Sequence, residues 1–464
     1  RLAGLAGDAA GAANALVVRG TIEHRGGDSN AAIATLTEAA EAFVALRDPA
    51  GSARALRERS LVEILNGRMD EAELSARDAL GAFVEADDRA GQGWAHQSLA
   101  WISFVSGRGN DAALHAQEAV DRFEELDDQR GLAWSWGVMG WVRFQQGRVD
   151  EAELLAEETI VEAQQLGDPW AVAMTRLLLA SIRLWSGHPA ATVELASESL
   201  ASFDALADSY GRGLSSSVLG RALVMSGQVQ QGLDLLHRAS YPAAASGRGR
   251  GPAGGQVARQ TLFATSIQLG QPDLAADVAE ELLPIAADGH PDASAALGLH
   301  ALQEGDLALA AAHLFRDESA SATANLAASR ALVAAFTGRG DVPAQIEMVE
   351  GRDGATYLDR SLTAMARAVE VLRHPTVDPD GADRSRSSAL AGLERSRAEI
   401  EATGDVVARA VTGLVGAHLS LALGGDEAEA AAAAEAAEAA LVDLGIDAHG
   451  WRTVLAMAKS PAPA

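Results

Sequence analysis

Residues 88–107, DRAGQGWAHQSLAWISFVSG, and residues 128–147, DQRGLAWSWGVMGWVRFQQG, each run from an aspartate to a turn glycine, and the second copy begins 40 residues after the first. The register extends well beyond these two copies. Turn glycines recur at Gly27, Gly67, Gly107, Gly147, Gly187 and Gly227 without slippage. Self-similarity at a fixed period of this size marks a repeat protein, in which no single unit can bury its apolar face alone and stacking neighbours makes a continuous core. Other columns keep the same spacing. Asp48, Asp88, Asp128, Asp168 and Asp208 lie 21 residues after a turn glycine, where a carboxylate can accept the free N–H groups of a helix's first turn. Pro49 and Pro169 directly follow two of them, at the one helical position where a missing N–H costs nothing.

Small residues Ser60, Ala100, Gly140, Ala180 and Gly220 stand seven before the glycines, and Ala72, Ala112 and Ala152 five after, as close antiparallel packing of two helices requires. Phe43, Phe83, Phe123 and Phe203 close the second helix of each unit. Each unit therefore reads as helix A (for example 129 to 146), a tight turn, and helix B (148 to 166). At 1.5 Å per residue such helices are about 25 Å long.

The run of Ala100, Gly107, Ala112 and Ala119, repeated at Gly67, Ala72 and Ala79, resembles the tetratricopeptide consensus. The 40-residue length, the Asp-x-x-Gly connections (Asp88 to Gly91, Asp128 to Gly131, Asp208 to Gly211) and the acidic, alanine-rich style are similar to the repeat regions of large bacterial signalling ATPases of the STAND class. These include regulators of the maltose-operon activator type with a LuxR-like DNA-binding end, and actinobacterial cyclase–ATPase fusions. The resemblance covers residues 27 to 240 and weakens beyond, where Gly270, Gly305, Gly338 and Gly425 are irregularly spaced; the tail LVDLGIDAHGWRTVLAMA resembles the closing stretch of such regions. It implies an all-α, right-handed superhelical solenoid of antiparallel two-helix repeats.

Three segments follow: a regular array over 1–240, a Gly/Arg-rich link over 241–256, and an irregular array over 257–464 ending in a capping helix. In the last, hairpins are expected at 257 to 286, 288 to 316 and 318 to 349, and a longer helix at 352 to 374. VDPDGADRSRSS reads as an exposed loop, and 385 to 445 as a last long-helix pair. The alanine-rich run DEAEAAAAAEAAEAALVDLG reads as helix because alanine has the highest helix propensity.

Composition narrows the function. A net charge of −27 repels a phosphate backbone, and no basic stripe offsets it, so neither nucleic acid nor an anionic membrane is an expected partner. No long apolar run or signal peptide is present, and there is no cysteine, so a cytoplasmic setting is the simplest expectation. The chain opens at Arg1 rather than methionine, which is expected of an excerpt from a longer protein with an N-terminal ATPase domain.

Chemistry is sparse. Lys459 is the only lysine, so this segment contains neither a P-loop nor a Schiff-base site. Gly249-Arg-Gly251-Pro-Ala-Gly254 fits G-x-G-x-x-G but lies in a low-complexity run after a helical unit, and reads as a link. The eleven histidines show no helical i, i+3 or i, i+4 pair, so no metal or other cofactor is expected. Arg339-Gly340-Asp341 reads as a turn.

One constellation stands out. Helix A positions that line the inner surface of tetratricopeptide arrays fall on Trp94, Trp101 and Phe104, then Trp134, Trp141 and Phe144, then Trp185. Stacking would place Trp94 beside Trp134 and Trp101 beside Trp141. Two readings are open: core filling by a helix apolar on both faces, or an aromatic groove for an apolar peptide, an amphipathic helix or a small planar or sugar-like effector. Arg54, Arg57 and Arg221 share the inner register and could orient an acidic group. The expected function is a non-catalytic protein- or effector-binding module, the regulatory C-terminal part of a larger signalling ATPase or transcriptional regulator. The alternative is a freestanding scaffold or adaptor.

Overall fold

The structure, a computed structural model, describes residues 8–25, 28–241, 253–287, 289–316, 323–352, 354–375 and 378–460. The turn at Gly27, most of the 241–256 link and the first four residues of the Gly249–Gly254 motif lie outside the described residues. Among the described residues every regular element is helical.

The regular array is α1 (Ala9–Arg25), α2 (Ser29–Ala45), α3 (Pro49–Leu65), α4 (Met69–Glu85), α5 (Arg89–Val105), α6 (Gly109–Leu126), α7 (Gln129–Gln145), α8 (Val149–Gln165), α9 (Pro169–Trp185), α10 (Pro189–Ala205), α11 (Ser209–Met225) and α12 (Val229–Ser240). After it come α13 (Ala253–Leu269), a 3-10 turn (Pro272–Ala275), α14 (Ala276–Ala287), α15 (Pro291–Gln303), α16 (Leu307–Leu314), α17 (Ala324–Thr337) and α18 (Val342–Glu350). The chain ends with α19 (Tyr357–Arg373), α20 (Pro379–Glu401), α21 (Val406–Ala422), α22 (Glu427–Leu444) and α23 (His449–Lys459). Helices A and B of the fourth unit, α7 and α8, fall within one residue of the expected bounds at each end. The chain is an all-α, tetratricopeptide-like array of antiparallel helix pairs.

The A helices α3, α5, α7, α9 and α11 start on the predicted caps. The side chains of Asp48, Asp88, Asp128 and Asp208 accept the N–H groups of Gly51, Gly91, Gly131 and Gly211 at 2.9, 2.8, 3.0 and 2.9 Å. The glycine in this Asp-x-x-Gly connection has a second cause. A methyl group at Gly51, Gly91, Gly131 or Gly211 would sit 2.1–2.3 Å from Cδ1 of Phe43, Phe83, Phe123 or Phe203. Those rings, almost wholly buried, close directly over the capped glycine. One repeat departs from the pattern in both partners: Asp168 caps Ala171 at 3.1 Å, and the phenylalanine position holds Ala163. Ring and glycine are absent together here, and without the ring the Ala171 methyl has room, with Trp134 packed against Ala163 and Ala171.

The A-to-B turns use the expected glycines for a conformational reason, since Gly67, Gly107, Gly147, Gly187 and Gly227 all have φ between 72° and 90°. The small-residue columns act as close-approach points. Ser60 Oγ donates to the Ala72 carbonyl at 2.9 Å, and a methyl at Gly140 would lie 2.7 Å from Leu178.

The chain divides into two compact units that do not follow linear order. The first is Arg1–Leu179, Glu198–Gly213 and Ala244–Gln256; the second is Ala180–Ser197, Leu214–Ala243 and Val257–Ala464. Within the second, the turn glycine Gly187 accepts the N–H of Gly404 at 2.8 Å, which ties residues far apart in sequence. A continuous apolar core runs from Val224 to Ala458 in this unit.

Two expectations for the C-terminal segment are corrected. VDPDGADRSRSS is not a loop: Asp378 accepts the Gly381 N–H at 3.1 Å and Pro379 takes the first helical position, so α20 begins there. Residues 385–445 are not a single helix pair, because the chain breaks after Glu401 and restarts on the Asp405 cap, giving α20, α21 and α22. The alanine-rich run is helical as α22, and α23 follows as the closing helix. Arg339-Gly340-Asp341 is a turn, with Gly340 at φ 102° and Asp341 capping α18 through Ala344 N–H at 3.0 Å.

Candidate functional site

In the first unit, α5, α7 and the start of α9 present aromatic residues on equivalent faces. Positions seven apart on a helix lie on one side, so Trp94 and Trp101 share a face of α5 and Trp134 and Trp141 share a face of α7. Stacking brings the equivalents together as expected. Trp94 meets Trp134 edge-on with ring centroids 6.1 Å apart, and Trp101 meets Trp141 at 6.4 Å. Phe104 bridges the second pair, 5.3 Å from Trp101 and 5.8 Å from Trp141, and Phe144 lies 6.4 Å from Trp141.

The ladder continues through a residue outside the expected register. Trp170 stacks flat on Trp134, with centroids 4.5 Å apart and planes 2° from parallel. Its position corresponds to Arg130 one repeat earlier, and both side chains reach the cap aspartate of the following repeat: Arg130 to Asp168 at 3.3 Å and Trp170 Nε1 to Asp208 at 2.6 Å. Trp134 Nε1 also donates to Asp168, at 3.0 Å. Asp168 therefore caps α9 with one oxygen and holds an indole and a guanidinium with the other. Burial works to raise its pKa, but the Ala171 N–H, Trp134 and Arg130 outweigh that and hold it below the ordinary aspartate value.

Between these helices lies a cavity of about 70 Å³, walled by Trp101, Trp134, Trp141, Trp170, Met174 and Tyr210 among others, with no charged residue in its lining. Tyr210 is buried, lies beside Trp101 in the cavity lining, and has its hydroxyl pKa pushed up by burial. The tryptophans are half-buried, not enclosed. Their inner edges pack on small cores such as Ala100, Ala112, Ala116, Val138, Met139 and Val142 beneath Trp101 and Phe104. Trp101, Trp134, Trp141 and Trp170 also line the cavity.

Of the other expected site residues, Arg57 meets the ladder at Trp94, and Arg54, Trp185 and Arg221 lie elsewhere. Arg57 sits 5.8 Å over the Trp94 ring and pairs with Glu58 at 2.5 Å; Arg54 is 6.0 Å over Phe43. Trp185, 46% exposed, and Arg221 belong to the second unit. There the charge of Arg221 acts on Asp405 and Tyr357.

A second feature escaped the sequence reading. His96 on α5 and His115 on α6, 19 apart in sequence, meet with their Nδ1 atoms 3.1 Å apart. An antiparallel hairpin pairs residues at similar distances from its turn, and these two flank Gly107 in that way. A search for i, i+4 pairs misses this. Among the described residues no cluster of three metal-ligating side chains occurs. Burial lowers both imidazole pKa values from 6.5, reinforced at His96 by His115 and at His115 by Arg77, against the opposing carboxylates Glu118, Asp111 and Glu73 and alongside Arg122. The pair is thus neutral in the fold above pH 6.5, and its stabilisation is lost as pH falls below that value, where the unfolded chain takes up protons first. Urea midpoints at about pH 7.5 and about pH 5.5 should differ more for the native chain than for His115→Gln, which keeps a polar partner but cannot titrate. Equal differences would show that the pair does not titrate as described.

No family model matches the chain, and no curated protein matches it. Among solved structures it is similar to a Signal Transduction ATPase with Numerous Domains (STAND) protein with a tetratricopeptide repeat sensor from Pyrococcus horikoshii, with a TM-score of 0.37 and 15% identity over 61% of this chain. The chain covers 43% of that protein. A likeness of this size does not bear on function. No helix among the described residues is long and apolar enough to cross a membrane.

Proposed function

We propose that the chain is a non-catalytic binding module whose first unit receives an apolar segment of a protein partner on the aromatic ladder of α5, α7 and α9. One observation carries the reading: half-buried indoles from successive helices wall an uncharged cavity in a protein of net charge −27. Aromatic side chains supply large contact area at low entropy cost, and anchors of this kind dominate binding energy where water is excluded. Trp134 and Trp170 already donate their indole N–H groups inside the fold, so they offer ring faces and edges to a ligand, not hydrogen-bond donors. Recognition by these two indoles is therefore apolar.

In a larger signalling ATPase or transcriptional regulator, occupancy of the groove would shift the population of an active state in proportion to its preference for that state. The repeat pattern and the Asp-x-x-Gly connections support that setting. A nucleotide-binding domain encoded upstream of Arg1 would agree with it; a start codon immediately upstream would favour a scaffold. Selection from a displayed random peptide library should enrich sequences with paired bulky apolar residues, and their binding should shift tryptophan emission. Enrichment of charged peptides that leave the emission unchanged would count against the groove.

A further inference from the structure

The second unit contains a larger cleft that the aromatic groove does not explain. It has a volume of about 470 Å³ and lies between α20 on one side and α21 and α22 on the other. That is within the size range of small-molecule sites, roughly 300–1,000 Å³. The space exists because the facing positions carry almost no side chain. A methyl group at Gly416 would meet nothing within 4 Å, and one at Gly413 would only touch Ala437 at 3.6 Å. Opposite, Leu390, Leu393 and Ile400 of α20, with Met365 of α19, make an apolar wall.

The charges at the cleft are unevenly matched. Arg397 is held by Glu394 at 2.7 Å and Glu429 at 3.3 Å, and Asp426 is engaged in capping α22 through the Glu429 N–H at 2.9 Å. Arg409 has no carboxylate partner among the described residues; its guanidinium donates to the Thr403 carbonyl at 3.1 Å. The lining carries three carboxylates and two guanidiniums; Glu394 and Glu429 both engage Arg397 and Asp426 caps α22, so Arg409 is the cation of this lining without a carboxylate partner among the described residues, beside an apolar trough.

We propose that this cleft binds an amphipathic organic anion, its hydrocarbon body on the α20 wall over Gly413 and Gly416 and its carboxylate on Arg409. A guanidinium pairs with a carboxylate in two parallel hydrogen bonds, so the head group sets the orientation while the trough supplies contact area. The site is separate from the aromatic groove and stands or falls independently of it.

Calorimetric titration of the whole chain with decanoate and with decanol tests this. Decanoate should bind and decanol should bind more weakly; Arg409→Gln, a change at an exposed side chain, should weaken decanoate by about tenfold and leave decanol unchanged. Gly416→Leu should abolish binding of both, while Trp101→Ala should leave both intact. No decanoate binding, equal binding of the two probes, or decanoate affinity unaffected by Arg409→Gln or by Gly416→Leu would each overturn the proposal. Circular dichroism of the Gly416→Leu variant guards against unfolding, and the Arg409→Gln variant carries the test if the former is unstable.

Discussion

Phe123→Ala is expected to destabilise the first unit by about 3–5 kcal/mol, and Gly131→Ala by about 1–3 kcal/mol, yet the two together should cost less than their sum. The reason is steric. The Phe123 ring is fully buried directly over Gly131, and an added methyl would fall 2.2 Å from Cδ1. In the native protein that methyl has nowhere to go without moving the ring. Once the ring is gone, the methyl occupies vacated space and adds helix propensity, so it should become neutral or mildly stabilising. The protein itself contains the double replacement at Ala163 and Ala171, where Trp134 packs over the two alanines in place of a phenylalanine. Coupling of about 0.5–3 kcal/mol is usual for contacting residues, and denaturant unfolding of the two single variants and the double variant would measure it. Strict additivity would show that ring and glycine do not select one another.

Asp405→Ala is the second large effect, expected at about 3–5 kcal/mol in the second unit because it strands buried donors. Asp405 is fully buried, accepts the Ala408 N–H and the Tyr357 hydroxyl at 2.8 Å each, and the Gln268 amide at 3.0 Å. It therefore joins α13, α19 and α21 through one carboxylate. Burial raises its pKa above 3.8, opposed by those hydrogen bonds and by Arg221. The sign matters for the pH dependence. A carboxyl whose folded pKa is raised contributes stability that is full below the unfolded value and is lost as pH rises through the folded one. Asp405→Asn, which cannot ionise, should therefore compare better with the native chain as pH increases. Asp168, lowered by Trp134 and Arg130, behaves oppositely and loses its contribution as pH falls. Unfolding of the Asp405→Asn and native chains across a pH series would show whether their stabilities converge; a gap that widens with pH would contradict the assignment.

Much of the fold was legible because its determinants are local and repeated. A cap aspartate, a turn glycine and a small residue at fixed spacing each act within a turn or two of helix, and five or six copies of each made the register unmistakable. What stayed hidden depends on contacts across helices or on exceptions to the period. The glycine after each cap aspartate could be read as part of a connection, but its dependence on Phe43, Phe83, Phe123 or Phe203 required the packing. The Asp378–Pro379 start of α20 was missed although the signal was present, since the polar run after it looked like a loop; helix capping outweighed composition there.

The candidate site was partly legible for the same reason. Trp94, Trp101, Trp134 and Trp141 follow the period and could be placed side by side from sequence. Trp170 and Tyr210 sit off those columns, and their roles emerge only through Asp208 and Trp101. A search for aromatic residues two after a cap aspartate would have found both Trp170 and Tyr210.

The most direct test is to measure peptide binding and thermal unfolding on the same preparation of the Trp101→Ala, Trp141→Ala double variant. Binding should disappear while helicity and the cooperativity of melting persist, because both indoles line a cavity and are only half-buried. Retained binding, or collapse of the helical signal, would instead make the aromatic ladder part of the core and remove the basis for a recognition surface.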